Sequence, residues 1–122
     1  MARVAVPMNT IPPNGAGLNN LSFVAGDATN DHEFDNDGGT LLVAKNTGVG
    51  AITVTITSVP DQFGRTKDTA LVVPAISGSD PGIAVAGPFL QANWNQAGAK
   101  VFVDLTSATG LSLAAVRMSL AR

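Results

Sequence analysis

The sequence predicts an all-β protein, a single sandwich or barrel of about eight short strands behind an extended N-terminal arm. Three observations predict it. The first is the stretch Thr40 to Ser58, where Ile52, Val54 and Ile56 alternate with Thr53, Thr55 and Thr57. Period-two alternation puts successive side chains on opposite faces, and β-branched residues suit a pleated surface. The second is spacing: short apolar runs recur along the chain, each bounded by Gly, Pro, Asn or Asp. The third is composition, with 45% apolar and 13% charged residues and 13 Gly and 7 Pro scattered through 122 positions. A chain of that length and balance supports one core and one domain, and a disordered chain is more charged and less apolar.

Residues 1 to 20 read as an arm, and 21 to 122 as the β domain. Pro7, Pro12, Pro13, Asn14, Gly15, Gly17, Asn19 and Asn20 interrupt the arm so often that neither a helix nor long strand pairing is expected there. Val4, Val6 and Met8 alternate within it, which suits a short edge strand or a strand lent to a neighbouring subunit. Apolar Val4, Val6, Met8 and Ile11 are therefore expected at an interface. The following strands are expected at Leu21 to Ala25, His32 to Phe34, Thr40 to Lys45, Ile52 to Ser58, Ala70 to Ala75, Ile83 to Phe89, Lys100 to Leu105 and Leu111 to Leu120. The third and fourth, joined by Asn46, Thr47, Gly48, Val49 and Gly50, read as a β-hairpin with one buried and one wet face. The last segment also fits helical spacing through Leu113, Val116, Arg117 and Leu120; an all-β setting favours a strand.

Several functions are disfavoured by composition. Net charge is −2, and seven Lys plus Arg are spread singly from Arg3 to Arg122, so no basic stripe is available for a phosphate backbone and no nucleic-acid partner is expected. There is no cysteine, hence no disulfide, thiol nucleophile or thiolate metal site. No apolar run reaches the roughly eighteen residues of a membrane span, and the N-terminus meets Pro7 and Asn9 before any signal-peptide core. The protein is expected to begin in the cytosol that made it.

The candidates for chemistry are few. Asp27, Asp31, Glu33, Asp35 and Asp37 cluster around His32, the only histidine. Glu33, Asp35, Asp37 and Gly38 match early places of a calcium loop, but the place of the bidentate Glu is held by Ala44, so a solvated turn is the expectation and no metal. A lone imidazole without Cys or a second His is expected to be structural. Asp31 and Glu33 would share a strand face roughly 7 Å apart, a spacing some glycosidases use, yet an exposed strand offers no apolar pocket to raise either pKa. Asp68-Thr69-Ala70 lacks both the glycine and the second copy of an aspartic-protease turn, and no phosphate loop or nucleophile elbow is present. Neither an enzyme, a cofactor nor a small-molecule substrate is expected.

Trp94 stands among amides in Gln91-Ala92-Asn93-Trp94-Asn95-Gln96. Such a ring plugs one end of a sandwich, anchors a protein interface, or stacks on a sugar. Phe89, Asn93, Trp94 and Asn95 are accordingly candidate interface residues beside those of the arm. The threonine stripe 53, 55 and 57 is one row only and reads as a solvent face.

The order of segments resembles small capsid decoration (cement) proteins of tailed bacteriophages. The likeness lies in Val6-Pro7-Met8 with Thr10-Ile11-Pro12, Ala28-Thr29-Asn30 leading to His32-Glu33-Phe34 and Asn36-Asp37-Gly38, then Thr40-Leu41-Leu42-Val43 with Lys45-Asn46. It continues through Ile52 to Ile56, Val73-Pro74-Ala75, Gly87-Pro88-Phe89, Asn95-Gln96 and Lys100 to Asp104, and so spans most of the chain. The connections Pro60 to Lys67 and Ser77 to Gly82 are longer than in the family's pattern. The resemblance implies a compact jelly-roll-like fold, often a homotrimer, that binds the outside of the virion's assembled head and locks subunits of the major capsid protein, with no catalytic residues.

Overall fold

The computed structural model describes residues 2–11 and 21–118. It is a β-sandwich of ten strands: β1 (Val4–Ala5), β2 (Met8–Ile11), β3 (Val24–Ala25), β4 (His32–Asp35), β5 (Leu41–Asn46), β6 (Ile52–Thr57), β7 (Thr69–Val73), β8 (Gly82–Ala86), β9 (Lys100–Leu105) and β10 (Leu111–Met118), with one helical turn, α1 (Gln91–Trp94). One sheet runs β1-β4-β9-β6-β7 and the other β2-β10-β5-β8, with β3 also on β10.

The eight strands after the arm pair in nested fashion. β3 lies antiparallel to β10, β4 to β9, β5 to β8 and β6 to β7. This is one long hairpin rolled up, and the antiparallel contacts of β5 with β10 and of β6 with β9 close the roll. The result is the jelly-roll arrangement of two facing sheets. All eight predicted strands are present, and the ambiguous last one is a strand through Met118; its predicted end, 119–120, lies outside the described residues.

Between the sheets sit Phe34, Leu42, Val54, Ile56, Val73, Val101, Val103, Leu111 and Leu113, all essentially inaccessible. β6 and β9 alternate buried with more exposed positions as their sequences require. β5 and β10 are buried on both faces, because Val43, Ala114 and Val116 point outward into a second small cluster covered by Ile11, Leu21, Phe23 and Ile83. A strand apolar on both faces loses its alternation. That is why 111–118 carried helix-like spacing.

Two expectations are corrected. The run Thr40 to Ser58 is no hairpin: β5 and β6 belong to opposite sheets, and the Asn46–Gly50 connection is a corner between them. Buried Asn46 builds that corner, its Nδ2 donating to the Gly50 carbonyl (2.8 Å) while its Oδ1 accepts from the Gly48 N–H (2.8 Å). Gly110, at φ 81°, comes so close to Gly48 that an added Cβ would stand 2.7 Å from the Gly48 nitrogen. Only glycine tolerates both demands.

The arm, within residues 2–11, does pair with its own chain. β1 lies parallel to β4, and β2 lies parallel to β10 over Ala115 to Met118, where β3 no longer reaches. Proline does not prevent this because Pro7 stands between the strands, where the chain crosses from one sheet to the other, and its carbonyl accepts from the Ala115 N–H (3.0 Å). Both added strands take edge positions, where few ladder donors are needed. Pro12 and Pro13 lie outside the described residues.

Candidate functional site

The sequence-derived candidates fall into two groups. In the arm, Val6 is 5% exposed and belongs to the main core, Met8 packs against that core, and Ile11 joins the outer cluster of the second sheet. Val4 is half-buried. Val6, Met8 and Ile11 thus pack within the chain, while Val4, Met8 and Ile11 keep part of their surface exposed.

The second group surrounds α1. Phe89 is 3% exposed and lies between Phe34 (ring centroids 5.8 Å) and the edge of Trp94 (5.4 Å). Trp94 is half-buried and its ring closes this end of the core, as the plug reading expects. Asn95 is turned inward: its Oδ1 accepts from Asn36 Nδ2 (2.7 Å) and its Nδ2 donates to the Asn36 carbonyl (3.2 Å). Asn36 also donates to the Phe89 carbonyl (2.9 Å). Gln96 donates to the Ser58 carbonyl (3.4 Å). Amides spent on the backbone are not available to converge on a sugar, and only Asn93 among the candidates is exposed.

One open cleft of about 660 Å³ lies between α1 and the β6–β7 connection, lined by Asn93 and Trp94 on one side and by Val59, Asp61, Arg65, Thr66 and Lys67 on the other. The connection is fixed at its base, where the Val59 N–H donates to the Asn93 carbonyl (2.8 Å) and Asp68 Oδ1 accepts from the Ser58 N–H (2.9 Å). Asp68 thus clamps the start of the connection, its Oδ1 also accepting from the Ser58 hydroxyl (3.3 Å). Arg65 is paired with Asp61 (2.8 Å) and stands over the Phe63 ring (4.9 Å). The backbone N–H of Arg65 holds the Asp61 carboxyl below the ordinary carboxylate range. Lys67 has no acidic partner among the described residues. Phe63 and Leu90, both largely exposed, belong to the two segments that border this cleft.

The acidic cluster forms turns. Asp27 accepts from the Asn30 and Thr29 N–H groups (3.0 and 2.9 Å), which lower its pKa with Asn30 contributing most. Asp37 accepts from the Gly39 N–H (2.9 Å), and its pKa is lowered for that reason. Asp35 pairs with Lys100. Asp31 does not share a strand face with Glu33; at φ 60° it precedes β4 and its Oδ1 accepts from the Leu105 N–H (2.9 Å). Among the described residues no three His, Asp or Glu side chains are grouped to hold a metal.

His32, 0% exposed, tethers three segments. Its Nδ1 lies 3.1 Å from the Val4 carbonyl, and its Nε2 accepts from the Asp27 N–H (2.9 Å). Arg3 completes the tie: it stands over the Phe102 ring (4.2 Å), pairs with Asp104 (2.7 Å) and donates to the His32 carbonyl (3.2 Å). Sequence reasoning missed Asn36, Asn46 and Arg3. The first two end or follow a strand and precede a Gly-containing turn, a placement that marks side chains which cap the turn; nothing near Arg3 signals its partners, of which His32 is 29 residues away and Asp104 is 101. No known protein family, curated protein or solved structure matches the chain.

Proposed function

We propose that this chain is a structural virion protein, a capsid decoration or cement protein that binds the outside of an assembled bacteriophage head as a homotrimer and bridges major capsid protein subunits without catalysis. The observation that carries the reading is the ordered run of short segments, from Val6-Pro7-Met8 to Lys100–Asp104, by which the chain resembles that family. The rolled β-hairpin supports it, being the fold the resemblance implies; a fold alone names no function. A rigid body whose polar groups are spent internally suits a part that adds buried area to a lattice.

The docking surface on this reading is the end bearing the cleft, with Phe63 and Leu90 as its exposed apolar anchors and Lys67, which has no acidic partner among the described residues, as its cation. A protein that binds only the assembled shell stabilises it by RT ln(1 + [L]/Kd), about 2.7 kcal/mol per site at a hundredfold excess over Kd. The test is to mix the purified chain with undecorated heads of the phage that encodes it and follow head disruption on heating. Saturable binding with a raised disruption temperature is expected, and the double variant Phe63→Asp, Leu90→Asp should keep its own melting temperature yet fail to bind. No binding by the wild-type chain overturns the reading.

A sugar-binding module is the second reading, favoured by the cleft beside Trp94 alone. It requires glycan binding that Trp94→Ala abolishes.

A further inference from the structure

We propose that the cleft between α1 and the β6–β7 connection binds an acidic segment of a partner protein, one carboxylate of which pairs with Lys67. On the decoration reading, from which this inference takes its partner, the segment belongs to the shell. What decides the ligand is which groups of the two walls are engaged and which are left over.

The acceptors are engaged. Asp61, the one carboxylate of the lining, takes the Phe63 and Arg65 N–H groups on Oδ1 (2.8 and 2.9 Å) and Arg65 Nε on Oδ2 (2.8 Å). Its charge is thus balanced inside its own loop. Across the cleft, the Asn93 carbonyl accepts from the Val59 N–H (2.8 Å).

The donors are left over. Thr66, Lys67, Asn93 and Trp94 line the cleft, and the Thr66 hydroxyl, Lys67 Nζ, the Asn93 side-chain amide and Trp94 Nε1 have no hydrogen-bond partner among the described residues. All four reach water. An ammonium and an indole N–H can only donate, so what enters beside them must accept. Lys67 is held by its backbone, whose N–H donates to Ser58 Oγ (2.6 Å), which leaves the ammonium free to meet a ligand.

Charge narrows the class. Two cations and one carboxylate line the cleft of a chain whose net charge is −2. The surplus is a single positive charge, which one carboxylate matches. A nucleic-acid backbone brings a row of phosphates, for which one free lysine is too little, and a neutral sugar leaves the lysine unmatched. Val59 and the Trp94 ring offer an apolar wall to the methylenes of a glutamate, and about 660 Å³ admits a short segment. An exposed ion pair adds little affinity. Phe63 and Leu90 beside the cleft therefore supply the adhesion, and Lys67 selects which segment docks.

Titration of the purified chain with hexaglutamate at low ionic strength, followed by NMR, tests this without any particle. The Trp94 indole and Asn93 side-chain amide signals should shift saturably, while Val49, at the other end of β6, stays still. The response should vanish at about 1 M salt, where the Debye length is roughly 3 Å. Lys67→Gln should bind about fivefold more weakly, and Lys45→Gln, the same charge lost from the other sheet, should bind as the wild type does. No shift, an equal shift with hexalysine or neutral maltohexaose, an unchanged affinity in Lys67→Gln, or an equal loss in Lys45→Gln overturns the proposal. Undecorated heads separate it from the decoration reading. Hexaglutamate binding without head binding removes the shell as partner and leaves the acidic ligand standing, whereas heads bound equally by wild type and Lys67→Glu keep decoration and overturn the acidic segment.

Discussion

Val54 and Thr55 are neighbours on β6 with opposite surroundings. Val54 is fully buried against the facing sheet, and Thr55 lies on the outer, polar face between Ala70 and Asp104. A carboxylate at 54 would lose its water and gain no partner, whereas one at 55 stays hydrated. Val54→Asp should therefore cost several kcal/mol and Thr55→Asp well under about one. Thermal denaturation of the two variants checks this; equal melting temperatures would contradict the register of β6. This part of the fold was legible from residues alone, because alternation of Ile and Val with Thr reports which side chains face inward. The buried amides were not legible. Asn36 and Asn46 read as turn residues, which they are, but a sequence does not reveal that their side chains stand in for missing backbone partners.

The arm shows where legibility ends among the elements. Each of the eight strands after it was readable, within a residue or a few at most ends, from apolar runs and turn residues. Pairing was not. Alternation tells which face of a strand is buried and never which strand lies beside it, so β5 and β6 read as a hairpin although they face each other across the core. Likewise the prolines of the arm marked where a ladder is interrupted, yet β1 and β2 are so short that an interruption between them costs nothing. The two strands cover edges of β4 and β10 that would otherwise present unpaired backbone groups. Deleting residues 2–11 removes Val6 from the core, worth about 1.5–3 kcal/mol on burial, together with the packing of Met8. The melting temperature should drop by roughly 10 °C. An unchanged value would mean that the arm contributes nothing to the fold.

The molecule as a whole has two unlike outer faces. The sheet containing β6 and β9 turns Thr53, Thr55, Thr57, Phe102 and Asp104 outward, with Arg3 laid over Phe102 and paired with Asp104. The sheet containing β5 and β10 carries the apolar cluster of Val43, Ala114 and Val116 beneath Leu21 and Phe23, with Lys45 over the Phe23 ring (4.5 Å). No helix among the described residues is long and apolar enough to cross a membrane.

Image reconstruction of the virus particles in which the proposed role would place this chain tests the decoration reading most directly. The account predicts added density on the outer surface of the head, at repeated symmetry-related positions, into which sandwiches of 12.3 kDa fit as threefold clusters with the end bearing Phe63 and Leu90 against the shell. Heads without such density, or the chain found only at a vertex or in the tail, would contradict it.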